Sequence, residues 1–98
     1  MGHKIIWSDQ ALEDVEYTVN YLYEEWSQTA VTNFYKKLER TLKIISTMPN
    51  SGKAYPDEPL IRSLGVSKLI TLYYEINKNS IEILSLFDNR QNPERDKF

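Results

Sequence analysis

The chain has 98 residues, 41% of them hydrophobic and 27% charged, which is enough for one hydrophobic core and too few for two, so a single domain over residues 1–98 carries the function. A net charge of −2 and a sequence pI near 5.4 argue against a protein that holds nucleic acid by bulk electrostatics. The absence of cysteine excludes disulfides, thiolate metal sites and a cysteine nucleophile. No run approaches the roughly 18 apolar residues of a membrane span, and the N-terminus lacks the apolar stretch of a signal peptide, so the expected location is the cytoplasm.

In chain order, Ile5-Ile6-Trp7 is a short apolar run that stops at Ser8, a good helix N-cap, with Asp9 in the first turn. That pattern predicts a strand followed by a helix. Leu12, Val15, Val19, Leu22 and Trp26 recur at spacings of three and four, one face of a helix from about Asp9 to Glu25. Ser27 offers a second N-cap, and Val31, Phe34, Leu38, Leu42, Ile45 and Met48 repeat the pattern until Pro49-Asn50-Ser51-Gly52 ends it. Lys36, Lys37, Arg40 and Lys43 fall on the outward side of this second helix as a solvated face. Gly52 to Pro59 reads as a connector.

Leu60 to Val66 then reads as a strand with Arg62 on the side of Leu60 and Leu64. Lys68–Ile76 and Ile81–Phe87 are two further strands joined by Asn77-Lys78-Asn79-Ser80, a β-hairpin. Alternation sends Tyr73 and Tyr74 to opposite faces, one into the core and the other half exposed. Two amphipathic helices need a larger apolar partner than each other, so the expected fold is α+β, in the order β-α-α-β-β-β, with a helical hairpin on a mainly antiparallel four-stranded sheet. The polar residues after Phe87 sit at the rim of that sheet, where a rigid strand fixes them. From about residue 93 the chain reads as a charged tail.

This order of elements, together with particular residues, resembles the RelE/ParE superfamily of bacterial toxins. The residues are Ile6-Trp7-Ser8 with Ala11 and Leu12, the break from Pro49 to Gly52, Ile61-Arg62, Leu72-Tyr73-Tyr74-Glu75-Ile76, Ile81-Glu82-Ile83 and Phe87-Asp88-Asn89-Arg90. The resemblance implies the toxin of a type II toxin-antitoxin module in a bacterial cytoplasm, neutralised by a cognate antitoxin. Its target is either DNA gyrase, as for ParE-like members, or mRNA in the ribosome, as for RelE-like ones. It implies no cofactor, no metal and no membrane.

Metal-free RNA cleavage needs a group to take the 2′-hydroxyl proton, a group to protonate the leaving oxygen, and cations for the developing charge. Arg62 and Arg90 match two basic positions of the ribonuclease members and are the candidates for catalysis if the chain is a metal-independent endoribonuclease. A third such position, within Leu69-Ile70-Thr71, is occupied by Thr71, and no tyrosine or histidine follows Phe87. Arginine is always protonated and makes a poor proton shuttle. The reading therefore favours a ParE-like toxin without nuclease chemistry, with Arg62, Lys68, Asn89, Arg90 and Gln91 contacting target or antitoxin. A ribosome-dependent ribonuclease and a non-toxic peptide-binding scaffold are the alternatives.

Overall fold

A computed structural model describes residues 2–89. The elements are β1 (Lys4–Trp7), α1 (Asp9–Glu25), α2 (Gln28–Thr47), a 3-10 turn (Pro49–Ser51), β2 (Lys53–Tyr55), β3 (Glu58–Gly65), β4 (Ile70–Ile76) and β5 (Ser80–Asp88). The strands form one sheet in the order β1-β5-β4-β3-β2. β1 runs parallel to β5, and all other neighbours are antiparallel.

The α+β architecture matches the expectation, with one correction: the sheet has five strands, because the expected connector from Gly52 to Pro59 contains β2 and the turn into β3. Three residues between a glycine and a proline carry no readable period. Lys53-Ala54-Tyr55 becomes a strand only by pairing with β3, Lys53 opposite Ser63 and Ala54 opposite Arg62.

Both helices begin where local chemistry starts them. The Ser8 hydroxyl accepts from Ala11 N at 3.0 Å and the Ser27 hydroxyl from Ala30 N at 3.2 Å. At the end of α1 the amides of Trp26 and Ser27 both donate to Leu22 O at 3.0 Å, which turns the chain directly into α2. The helices cover one face of the sheet. Phe34, Leu38 and Ile45 of α2 pack with Leu72 and Tyr74 of β4 and with Ile81, Ile83 and Leu86 of β5. Tyr74, Ile45, Leu72, Ile81 and Ile83 are fully buried, and burying an Ile or Leu side chain is worth about 1.5–3 kcal/mol.

The apolar stripe of α1 is displaced from the expected one. Leu12 is 53% and Trp26 66% exposed, whereas Ala11 is fully buried and Val15, Val19 and Leu22 pack beside the core. Alanine at the contact brings the α1 backbone close to β5, and that rotation turns the neighbouring Leu12 outward.

A bulge in β5 underlies the second departure. Tyr73 pairs with Ser85 but Tyr74 with Ile83, so Leu84 is an extra residue. Past it the core-facing positions shift from Ile81 and Ile83 to Leu86. The start of α1 serves the backbone there: Ser8 Oγ donates to Leu84 O at 2.9 Å, Ser8 N donates to Ile83 O at 3.1 Å, and Asp14 Oδ2 accepts from Leu86 N at 3.0 Å. Tyr73 and Tyr74 do lie on opposite faces, yet both are buried, at 6% and 0% exposure, so the expected half-exposed tyrosine is corrected. Among the described residues no helix is long and apolar enough to cross a membrane.

Candidate functional site

Arg62 on β3 stands opposite Ala54 of β2 and Tyr74 of β4. Cross-strand partners share a face, so Arg62 lies on the core side, with Leu60 and Leu64 as alternation requires. Its Nη1 donates to Gly52 O at 2.8 Å and to Asn50 O at 3.2 Å, while its Nε is buried without a hydrogen-bond partner. The Tyr74 hydroxyl reaches the same turn, donating to Pro49 O at 2.6 Å and accepting from Gly52 N at 3.0 Å. Burial raises the Tyr74 phenol above its ordinary pKa of 10.0, against the weaker opposing pulls of the Gly52 amide, the Arg62 charge and the Ser51 side chain.

Gly52 is needed for space. A Cβ there would stand 2.5 Å from Tyr74 Oη and 2.7 Å from Ser63 O. Together these groups clamp the Pro49–Gly52 turn, which sets where β2 begins. The phenol and the guanidinium, both held on backbone carbonyls, brace the turn.

The rim residues lie elsewhere. The Asn89 amide donates to Leu69 O at 2.7 Å and its Nδ2 to Lys68 O at 3.2 Å, while Thr71 Oγ1 donates to Asn89 Oδ1 at 3.0 Å. Asn89 thus ties the end of β5 to the β3–β4 loop, with the Lys68 side chain exposed beside it. Arg62 pairs four residues along β4 from Ile70, about 13 Å away at the rise of a strand, and on the core side. The structure joins Lys68 with Asn89 and keeps both apart from Arg62. Arg90 and Gln91 lie outside the described residues.

The face of the sheet away from the helices has a pattern that the sequence reading missed. One transverse row contains Ile6 of β1, Glu82 of β5, Glu75 of β4 and Ile61 of β3, each opposite the next. The row beside it holds Ser85, Tyr73 and Ser63. Ser85 is 6% exposed and its Oγ has no hydrogen-bond partner. The signal was available: a turn that pairs Ile76 with Ile81 necessarily sets Glu75 opposite Glu82. Tyr74 was missed as the anchor of the turn because its partners lie 22 and 25 residues back.

Between the helices an apolar groove of about 330 Å³ is lined by Trp7, Leu12, Val15, Val19, Tyr35 and Leu38. Among the described residues no group of three or more His, Asp or Glu is placed to hold a metal ion.

The family model described as the ParE toxin of the type II toxin-antitoxin system parDE matches residues 5–93. In structure the chain is similar to the chromosomal ParDE system of P. aeruginosa, with a TM-score of 0.71 at 15% identity over 88% of this chain and 95% of that one. It is also similar to a YoeB–YefM complex from Staphylococcus aureus, with a TM-score of 0.63 at 22% identity over 89% and 97%. The E. coli DinJ–YafQ complex gives 0.62 at 11% identity over 92% and 96%. At these identities the likeness is one of fold. No curated protein matches the chain.

Proposed function

Because the chain belongs to the family of ParE toxins of type II toxin-antitoxin systems, we propose that it acts without nuclease chemistry, by binding a protein target of the DNA gyrase kind. The observation that carries this reading is the state of Arg62. The guanidinium of this ribonuclease-candidate arginine is directed at the Gly52 and Asn50 carbonyls on the core side of the sheet. The neighbouring phenol, Tyr74, holds its proton against a backbone carbonyl. The opposite face carries two glutamates at its centre, an arrangement that repels an RNA backbone.

A cognate antitoxin is the expected partner, in keeping with the toxin–antitoxin complexes among the structural relatives. The groove along Leu12, Val15 and Tyr35 supplies apolar surface for such a segment to bury. Lys68, Asn89, Arg90 and Gln91 are assigned to contact with target or antitoxin, and Arg62 to bracing the turn.

The test is induced expression. Growth arrest with DNA damage is expected, rescued by a small adjacent reading frame, and the purified chain should trap cleaved plasmid in the presence of gyrase. Normal supercoiling at high toxin concentration would overturn the reading. New 5′ ends within translated messages, lost in Arg90→Ala, would replace it with ribonuclease action.

A further inference from the structure

We propose that the sheet face away from the helices receives an arginine of the antitoxin between Glu75 and Glu82, with an apolar residue two positions along the same extended segment resting on Ile6. The inference rests on the toxin reading above and adds to it the chemistry of the neutralising contact.

The first observation is a pair of like charges set opposite each other. Glu75 and Glu82 are direct cross-strand partners, and among the described residues neither forms an ion pair or a side-chain hydrogen bond. Like charges placed opposite each other destabilise a sheet, and a cation set between them reverses the sign of the interaction. Both side chains are half-buried, so water screens such a cation less than it would at a fully exposed pair.

The second is spacing. Ile6, Glu82 and Glu75 occupy neighbouring strands of one row, so the midpoint of the acid pair lies about 7 Å from Ile6 at the usual strand separation of about 4.8 Å. An extended segment crossing the strands at right angles presents same-side residues about 6.6 Å apart. A cation over the acids therefore puts the residue two positions away over Ile6, which is 42% exposed. Ile61, at the other end of the row, is 6% exposed and adds no such surface.

The third is Ser85, buried on the same face one row along, whose hydroxyl has no partner. A guanidinium presents five donors in a planar fork, enough to engage two carboxylates at once, whereas an ammonium is a compact point charge. That selects arginine over lysine.

The experiment uses the full chain and, as probe, the product of the small reading frame that rescues growth on co-expression, with affinity measured by calorimetry at two salt concentrations. Glu75→Gln and Glu82→Gln should each weaken binding about tenfold or more, as loss of a charged hydrogen bond does, with a flatter salt dependence. Glu82→Arg should restore binding to a probe in which the arginine is replaced by glutamate. Because both Gln variants relieve a repulsion, they should melt no lower than the parent chain, and lost affinity is then separable from lost fold. The exposed control Lys43→Gln should bind unchanged.

Unchanged affinity in both folded Gln variants would overturn the contact and leave the toxin reading standing. So would a probe that has no arginine two residues from an apolar one. An oligomeric state of the free chain that changes in the Gln variants would assign the row to a contact between copies, and overturn it likewise. A parent chain that no rescuing frame product binds would overturn both readings.

Discussion

Replacing Tyr74 with phenylalanine removes one oxygen from a residue that is otherwise fully buried, and so isolates what that oxygen does. The ring still fills its place among the core side chains, but Gly52 N loses its acceptor and Pro49 O its donor. A buried N–H left without a partner costs about 1–3 kcal/mol, and the lost carbonyl bond about 1 kcal/mol more, so Tyr74→Phe should destabilise by about 2–4 kcal/mol. For a domain of this size each kcal/mol lowers Tm by about 4–8 °C, and 2 kcal/mol by about 8–16 °C. The change also has a pH signature. The folded phenol titrates above the ordinary value of 10.0, so above that value the unfolded chain gives up a proton that the folded chain retains. Stability present below pH 10.0 is then lost as pH rises towards the folded value, by about 1.4 kcal/mol per pH unit. Urea unfolding of both proteins from pH 8 to 11, values chosen to span roughly that window, should show the alkaline decline shrink in the variant. A loss under about 0.5 kcal/mol at neutral pH, or an alkaline decline identical in both proteins, would refute the clamp.

Gly52→Ala should be at least as costly as an overpacked core position, about 1–3 kcal/mol, since a Cβ at 2.7 Å from the Ser63 carbonyl meets backbone that cannot step aside; thermal melting checks it. Arg62→Met should lower stability by about 1–3 kcal/mol through the two carbonyls it releases, with toxicity falling only in step with the folded fraction; an inert variant that melts like the parent would return Arg62 to direct contact or catalysis. Asp14→Ala strands the Leu86 amide beside the bulge and should cost about 1–3 kcal/mol, seen as early hydrogen exchange around residues 84–86. Ser85→Ala removes a buried hydroxyl that has no partner, and should leave the melting temperature unchanged or slightly raised.

What was legible in the chain was what short-range chemistry decides. Ser8 and Ser27 start their helices with bonds three residues on, and both helix boundaries follow. The hairpin reads from its turn, and the face of Arg62 reads from period two. Where distant backbone decides, the sequence is silent. β2 exists because β3 supplies its hydrogen bonds, and the bulge at Leu84 because Ser8 and Asp14 accommodate it from another element. Arg62 could be placed on a strand face but not given a role, since its acceptors lie 10 and 12 residues back in a turn whose path no local rule predicts. Of the candidate site, Lys68 and Asn89 do meet at the rim. The acid pair at Glu75 and Glu82 could have been counted out from the turn, and was passed over because each glutamate alone looks like an ordinary solvated residue.

The parallel pairing of β1 with β5 has a consequence for how the protein is made. Lys4 registers with Ser80, and among the described strands β1 has no other neighbour in the sheet. A chain emerging N-terminus first can form the helical hairpin and the β2–β3–β4 meander early, from contacts close in sequence. The first strand has nowhere to dock until the last described strand arrives and fills the gap between β1 and β4. Its apolar residues Ile5 and Trp7 wait with it, and so does Ser8, whose bonds to Ile83 and Leu84 fix the entry to α1. Completion of the sheet is thereby tied to the synthesis of β5, so a nascent chain that has not yet reached Ser80–Asp88 cannot present it.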